Sequence, residues 1–231
     1  MANPERPIDS SYEQFYAARQ GAKVYPTEFV VRTFLASYPG LTFDRPRVGD
    51  RVLDVAFGDG RNTTFLCDQG FDVAGIEITQ GIVDQTSARL QRLGQRADLR
   101  VGRNSSIPWD DGHFDCILAC HCCYYCDEGE SFADNMAEYA RVLRPGGVLI
   151  ASVANAASYI FREAQRLDDG SFRVAGDPYN NRNGYRLQAF SSSGQVQQAL
   201  APWFHRFSFG AADNDYYGIT ERVFWVACHK Q

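Results

Sequence analysis

The sequence predicts an α/β protein with a Rossmann-like, doubly wound and mostly parallel seven-stranded sheet. The sheet includes an antiparallel C-terminal strand, and an N-terminal helical lid and a small cap insertion complete the domain. Three observations lead there. Between residues 51 and 153, short apolar runs alternate with helical stretches, a rhythm that demands right-handed crossovers between parallel strands. A glycine-bearing turn, Asp54-Val55-Ala56-Phe57-Gly58-Asp59-Gly60, follows the first run directly, where such sheets seat their ligands. Past the alternation, residues 204–209 and 222–228 form two more strand-like runs joined by a polar stretch.

The elements follow in order. Ser10 and Glu13 have capping-box spacing and predict a short helix through Arg19, stopped by Gly21. Thr27 is positioned to cap a second helix carrying Phe29, Val30, Phe34 and Leu35, ending before Pro39-Gly40. Residues 1–40 therefore read as the lid of a single 231-residue domain. In the core, residues 50–153, the first strand covers 51–56 and the glycine turn leads to a helix from about Asn62. A second strand (71–76) precedes a helix from Thr79, its N-cap, to Leu93. A third strand lies near Leu99-Arg100-Val101 and a fourth at 114–119. A helix over 132–143 stops at Arg144-Pro145-Gly146-Gly147 before the fifth strand, 148–153. Residues 154–190 read as the cap, since a long turn-rich stretch inside a compact domain usually has a function. In the last segment, 191–231, Ser192 and Gln195 again have capping-box spacing before a helix ending near Pro202.

Composition bounds the function. Hydrophobic residues at 45% and charged residues at 22% are ordinary for a globular chain. A formal charge of −5 offers no general attraction to polyphosphate, so no nucleic-acid partner is expected. The N-terminus lacks an apolar signal core, and the longest mainly apolar stretch, 116–125, is broken by His121 and falls short of the ~20 residues a membrane helix needs. The expectation is a soluble, cytoplasmic protein without membrane contact; its oligomeric state is not written in the sequence. Five of the seven cysteines lie between 116 and 126, but no second Cys/His knuckle accompanies them. No metal is expected, and most thiols should pack as small buried hydrophobes.

The chemistry gathers at strand ends. Gly58 and Gly60 permit a tight bend and close backbone approach, and the helix N-terminus that follows can face a polar or anionic group. Glu77 ends the second strand, 19 residues after Gly58, where a carboxylate can accept both hydroxyls of a ribose.

Four ordered segments carry a resemblance. Leu53-Asp54-Val55-Ala56-Phe57-Gly58-Asp59-Gly60-Arg61-Asn62-Thr63 is similar to the first motif of the class I S-adenosylmethionine-dependent methyltransferases. Gly75-Ile76-Glu77-Ile78-Thr79 resembles their ribose-binding strand end. Ile107-Pro108-Trp109-Asp110-Asp111-Gly112-His113-Phe114-Asp115 and Leu143-Arg144-Pro145-Gly146-Gly147 resemble the stretches before their fourth and fifth strands. The chain departs from the family at Ala56, where glycine is usual, beside a bulky Phe57. It departs again at Arg103, where aspartate is common.

The resemblance implies S-adenosyl-L-methionine as cofactor. By position, Asp54 would organise the loop and face the methionine ammonium, with Gly58 and Gly60 lining the methionine. Ala56 and Phe57 would crowd its reactive end. Glu77 would hold the ribose and Ile78 one adenine face, with Arg103, Asn104 and Ser105 at the adenine loop and Asn104 replacing the missing acceptor. His121 would meet the methionine portion and open the acceptor pocket. The lid helix, with Tyr12, Phe15 and Tyr16, resembles a bacterial small-metabolite branch in which a tyrosine, here Tyr16, reaches the cofactor. Residues 176–185 and 213–218 would face the acceptor, with Tyr185 positioning it and His121 or the Asp213/Asp215 pair serving as base. The implied activity is methyl transfer to a small molecule. Two alternatives stand beside it: cyclisation of the cofactor to azetidine-2-carboxylate and methylthioadenosine, and cofactor binding without catalysis.

Overall fold

A computed structural model describes residues 9–19 and 21–231. The alternating runs become strands because their side chains are covered on both faces of one sheet. In β1 (Arg51–Val55), Leu53 and Val55 enter one apolar cluster and Val52 the other, the two-residue period of a strand between two helical layers. Around it lie β2 (Asp72–Glu77), β3 (Asp98–Val101), β4 (Phe114–Ala119), β6 (Leu143–Ala154), β10 (Phe204–Tyr216) and β11 (Ile219–Lys230). Their order is β10-β11-β6-β4-β1-β2-β3. β11 runs antiparallel to both neighbours, and the other adjacent pairs are parallel. The chain leaves β1 toward β2 and β3, then returns to lay β4 on the opposite side. The topological switch point thus falls between β1 and β4.

Helix α5 (Phe132–Val142) buries Met136 and Tyr139 on one face, while α2 (Glu28–Leu35) and α3 (Arg61–Asp68) bury Phe29, Phe34 and Leu66 on the other. Helix α4 (Gln80–Arg92) starts at Thr79, whose hydroxyl accepts the Ile82 N–H at 3.3 Å. Helix α6 (Ser193–Leu200) starts at Ser192, whose hydroxyl accepts the Gln195 N–H. The Gln195 side chain turns back to the Ser191 N–H, one residue earlier than a capping box requires.

Three expectations need correction. Helix α1 spans Ser10–Ala17 with Asp9 at its N-cap position, and no capping box forms there. Glu13 instead accepts the Thr79 hydroxyl at 2.8 Å, tying the lid to α4. A full capping box does form at Ser131 and Asp134. The polar stretch 213–218 is not a loop: β10 and β11 continue through it to a tight turn at Tyr217 (φ 55) and Gly218 (φ 94). The cap is more regular than a turn-rich segment suggests. β7 (Gln165–Arg166), β8 (Phe172–Arg173) and β9 (Arg186–Leu187) join β5 (Tyr125–Cys126) in a small antiparallel sheet of order β5-β9-β8-β7.

Cys122, Cys123 and Cys126 pack in the larger apolar cluster and Cys116 in the other, as small hydrophobes. No helix among the described residues is long and apolar enough to cross a membrane.

Candidate active site

A cavity of about 240 Å³ opens beyond the carboxyl ends of β1, β2 and β4, roofed by α1 and the cap. Each strand brings a distinct feature. After β1 the backbone turns sharply: Ala56, Gly58 and Gly60 all have positive φ (53°, 55° and 75°). Glycine accepts this freely, but Ala56 holds it with a methyl group on the cavity wall.

Glu77 closes β2 with its carboxylate buried. One oxygen accepts the Gly58 N–H at 3.0 Å and the other the Ile78 N–H at 2.8 Å. Burial pushes this carboxyl up to about 7, with the two N–H bonds opposing the shift. Asp54, fully buried beneath the turn, accepts the Thr63 hydroxyl at 2.7 Å. Burial raises it to about 7 as well; the Thr63 bond opposes, and Glu77 and Asp59 add to the rise.

Phe57 turns away from the cavity. Its ring packs on Ile82 and Val83 of α4 and fills the space above Gly75, where an added Cβ would lie 2.6 Å from it. Of the two residues expected to crowd this corner, Ala56 reaches the cavity wall and Phe57 does not.

Two residues past β4, His121 also adopts positive φ (57°), and its N–H bonds to Ser152 Oγ at 2.7 Å. The imidazole lines the cavity, where burial lowers its pKa; Glu221 opposes the shift and Arg182 adds to it. In the neighbouring loop, Arg103 is buried and donates to Asp9 at 2.5 Å and to Asp127 at 3.3 Å, joining the lid to the rim. The Asn104 amide donates to the carbonyls of Cys122 (2.9 Å) and Tyr125 (3.0 Å), and its oxygen accepts the Tyr139 hydroxyl at 2.7 Å. Asn104 therefore organises the wall with its side chain and meets the cavity with what remains. Ser105 sits in the turn closed by Arg103 and Ser106.

The lid and cap meet over this floor in a cluster of tyrosines. The Tyr12 and Tyr125 hydroxyls are 2.8 Å apart, and the Tyr185 ring lies 5.7 Å from Tyr12 and 5.5 Å from Tyr125. Tyr16 lies directly over Gly58, where an added Cβ would come 2.5 Å from its hydroxyl oxygen.

The cavity thus brings together Tyr16, Ala56, Glu77, Ile78, Arg103, Asn104, His121 and Tyr185. Asp54, Phe57, Gly58, Gly60 and Ser105 stand behind its surface. Asp213 pairs with Arg222 at 2.9 Å and Asp215 accepts the Gly218 N–H at 2.6 Å, so both serve the hairpin rather than the cavity wall. Sequence reasoning passed over Asp127, Arg182 and Glu221, which line it. Arg182 lay inside the turn-rich stretch singled out as cap, and that stretch was its signal. Glu221 carried none, because the start of β11 was read as loop.

The residues present suit S-adenosyl-L-methionine. Glu77 offers a pair of fixed carboxylate oxygens, Gly58 has no room for a side chain, and tyrosine faces suit a cationic sulfonium. Residues 53–151 match a family model described as a methyltransferase domain. An uncharacterized methyltransferase of Mycobacterium tuberculosis (strain ATCC 25618 / H37Rv) is 35% identical over 115 residues, covering 49% of this chain and 44% of that protein. The ubiquinone biosynthesis O-methyltransferase of Maricaulis maris (strain MCS10) is 26% identical over 132 residues, 57% of this chain and 51% of that one. The chain thus spans about half the length of these curated relatives. The N-methyltransferase NodS of Bradyrhizobium japonicum, solved in complex with S-adenosyl-L-homocysteine, superposes with a TM-score of 0.64 at 13% identity, covering 97% of this chain and 99% of that one. That last likeness is one of fold.

Proposed function

We propose, from the match of residues 53–151 to a methyltransferase domain and the cavity at the strand ends, that this chain belongs to the class I S-adenosylmethionine-dependent family and transfers a methyl group from that cofactor to a small-molecule acceptor. One observation carries the reading. A continuous cavity runs from the Glu77 carboxylate to the His121 imidazole and on to the tyrosines of the lid and cap. It therefore offers a place for a nucleoside and, continuous with it, a place for a second reactant.

When bound, the cofactor supplies an already activated methyl on a sulfonium. The chain's own residues need only hold, align and exclude water. Glu77 holds the ribose hydroxyls through oxygens already fixed by Gly58 and Ile78. Ile78 lies along one face of the base, and Asn104 and Arg103 brace its edge. Asp54 supports the turn that faces the methionine end. His121, kept neutral by burial, can accept a proton from a hydroxyl acceptor, and an uncharged amine would not need it. Tyr12, Tyr125 and Tyr185 close the space and orient the acceptor.

The reading is tested by Glu77→Ala. Loss of a charge-assisted hydrogen bond to ribose costs about 1.5–3 kcal/mol, so S-adenosylhomocysteine should bind roughly ten- to a hundredfold more weakly by calorimetry. Unchanged affinity would remove the cofactor assignment. Methylthioadenosine accumulating from protein and S-adenosylmethionine alone would assign cyclisation instead of methyl transfer.

A further inference from the structure

Arg182 reaches the cavity from the cap, held on two sides. Its Nε and Nη2 donate to Asp177 at 3.2 and 3.1 Å, and Nη2 also donates to the Tyr159 hydroxyl at 2.6 Å. Asp177 is itself buried and fixed by the backbone N–H groups of Asn181 and Arg182, both at 3.0 Å. The guanidinium is therefore rigid, yet among the described residues Nη1 makes no hydrogen bond. The side chain of Glu221, half-buried at the start of β11 and also on the cavity wall, makes neither hydrogen bond nor ion pair among the described residues. The two groups meet at one end of the cavity: Arg182 bonds to Tyr159, and Ser158, the residue before it, accepts the N–H of Arg222, next in chain to Glu221, at 3.2 Å.

We propose that Arg182 and Glu221 form a subsite for an α-amino acid group, Arg182 taking the carboxylate through Nη1 and Glu221 the ammonium. The proposal deepens the transferase reading and rests on it. A lone anion would meet repulsion from Glu221 and a lone amine from Arg182, whereas a zwitterion satisfies both. Arg182 is already paired with Asp177 and keeps only its Nη1 edge for a ligand, whereas the Glu221 carboxylate has no counter-charge, and leaving it unmatched in a half-buried wall is costly. The turn after β1 already takes the methionine end of the cofactor in the reading above, so the group this subsite fits is that of an amino-acid acceptor.

The test compares S-adenosylhomocysteine, which carries the amino acid group, with methylthioadenosine, which lacks it. Calorimetry is run on the wild type, Arg182→Gln and Glu221→Gln, and glycine is then titrated into each protein loaded with S-adenosylhomocysteine. The subsite predicts that the affinity gap between the two nucleosides is unchanged in each variant, which also certifies the fold, with glycine bound by the loaded wild type and not by the variants. A gap narrowed tenfold or more while methylthioadenosine binding holds would put the cofactor's own aminobutyrate there and overturn the acceptor subsite. Tyr159→Phe, which frees the guanidinium without altering charge, should weaken glycine binding by a few-fold. An unchanged gap with glycine unbound, or bound equally by all three proteins, overturns the subsite. So does an equal loss of both nucleosides in the variants. If neither nucleoside binds the wild type, the cofactor reading itself falls and takes the subsite with it.

Discussion

At the residue scale, two non-glycine residues hold left-handed backbone where adjacent strands meet the cavity: Ala56 after β1 and His121 after β4. Such conformations cost about 1–3 kcal/mol each and persist where the surroundings over-determine them, typically at functional sites. Ala56→Gly should relieve the first. The gain is offset in part by the greater freedom of glycine in the unfolded chain, leaving a net rise in stability of up to about 1 kcal/mol. The measurement is the urea midpoint at unchanged m-value; a lower midpoint would mean the methyl contributes more by contact than it loses by strain. The departure from glycine at position 56 was visible in the sequence, and the backbone explains why glycine is usual there. The direction of Phe57 was not visible. It depends on the space above Gly75 on the neighbouring strand, 18 positions away.

At the scale of elements, α1 covers the cavity while none of its own residues is fully buried. Polar ties hold it: Asp9 to Arg103, Glu13 to Thr79, and the Tyr12–Tyr125 hydroxyl pair. A lid held by polar ties can lift without disturbing the sheet. Asp9→Asn weakens the buried ion pair, where removing one partner commonly costs about 3–5 kcal/mol. The cost should appear as faster cofactor release and lost hydrogen-exchange protection in α1, with β1 and β4 still protected. Loss of protection across all three would show that α1 is integral to the core instead. Legibility also divides by element. Strands buried on both faces and long amphipathic helices were readable, because each repeats its pattern over several residues. The two-residue strands β5, β7, β8 and β9 are too short to show a period. Ser10 and Glu13 satisfied the capping-box spacing by chance, while the true box at Ser131 uses Asp134 where the rule looks for glutamate or glutamine.

For the molecule as a whole, two buried carboxyls tie stability to pH. Asp54 and Glu77 rise from 3.8 and 4.5 to about 7 on folding. Between those limits the folded chain holds protons that the unfolded chain has released, so stability falls as pH rises through that window. The ligand-free protein should therefore melt at a lower temperature at pH 7.5 than at pH 5, with a shallower dependence in Glu77→Gln. Cofactor affinity should move the other way, because ribose hydroxyls and an ammonium both favour the ionised forms. Calorimetry across the same range checks this, and affinity that falls with rising pH would contradict it. The parallel, doubly wound character of the core was legible from alternation and crossover handedness. The closure of the site was not, because β5 pairs with β9 some 60 positions along the chain and no local pattern announces it.

The wall after β4 is fastened by two side-chain amides. Asn104 holds the carbonyls of Cys122 and Tyr125, and Asn135 holds those of Cys123 and Tyr125. In the reading proposed above, Asn104 belongs to the loop that meets the base and Tyr125 to the face that meets the acceptor. Occupancy by the nucleoside would then set the shape of the second compartment before anything enters it. The expected kinetic consequence is a compulsory sequence, cofactor on first and demethylated cofactor off last. Initial-rate patterns should then show S-adenosylhomocysteine competing with S-adenosylmethionine and never with the acceptor.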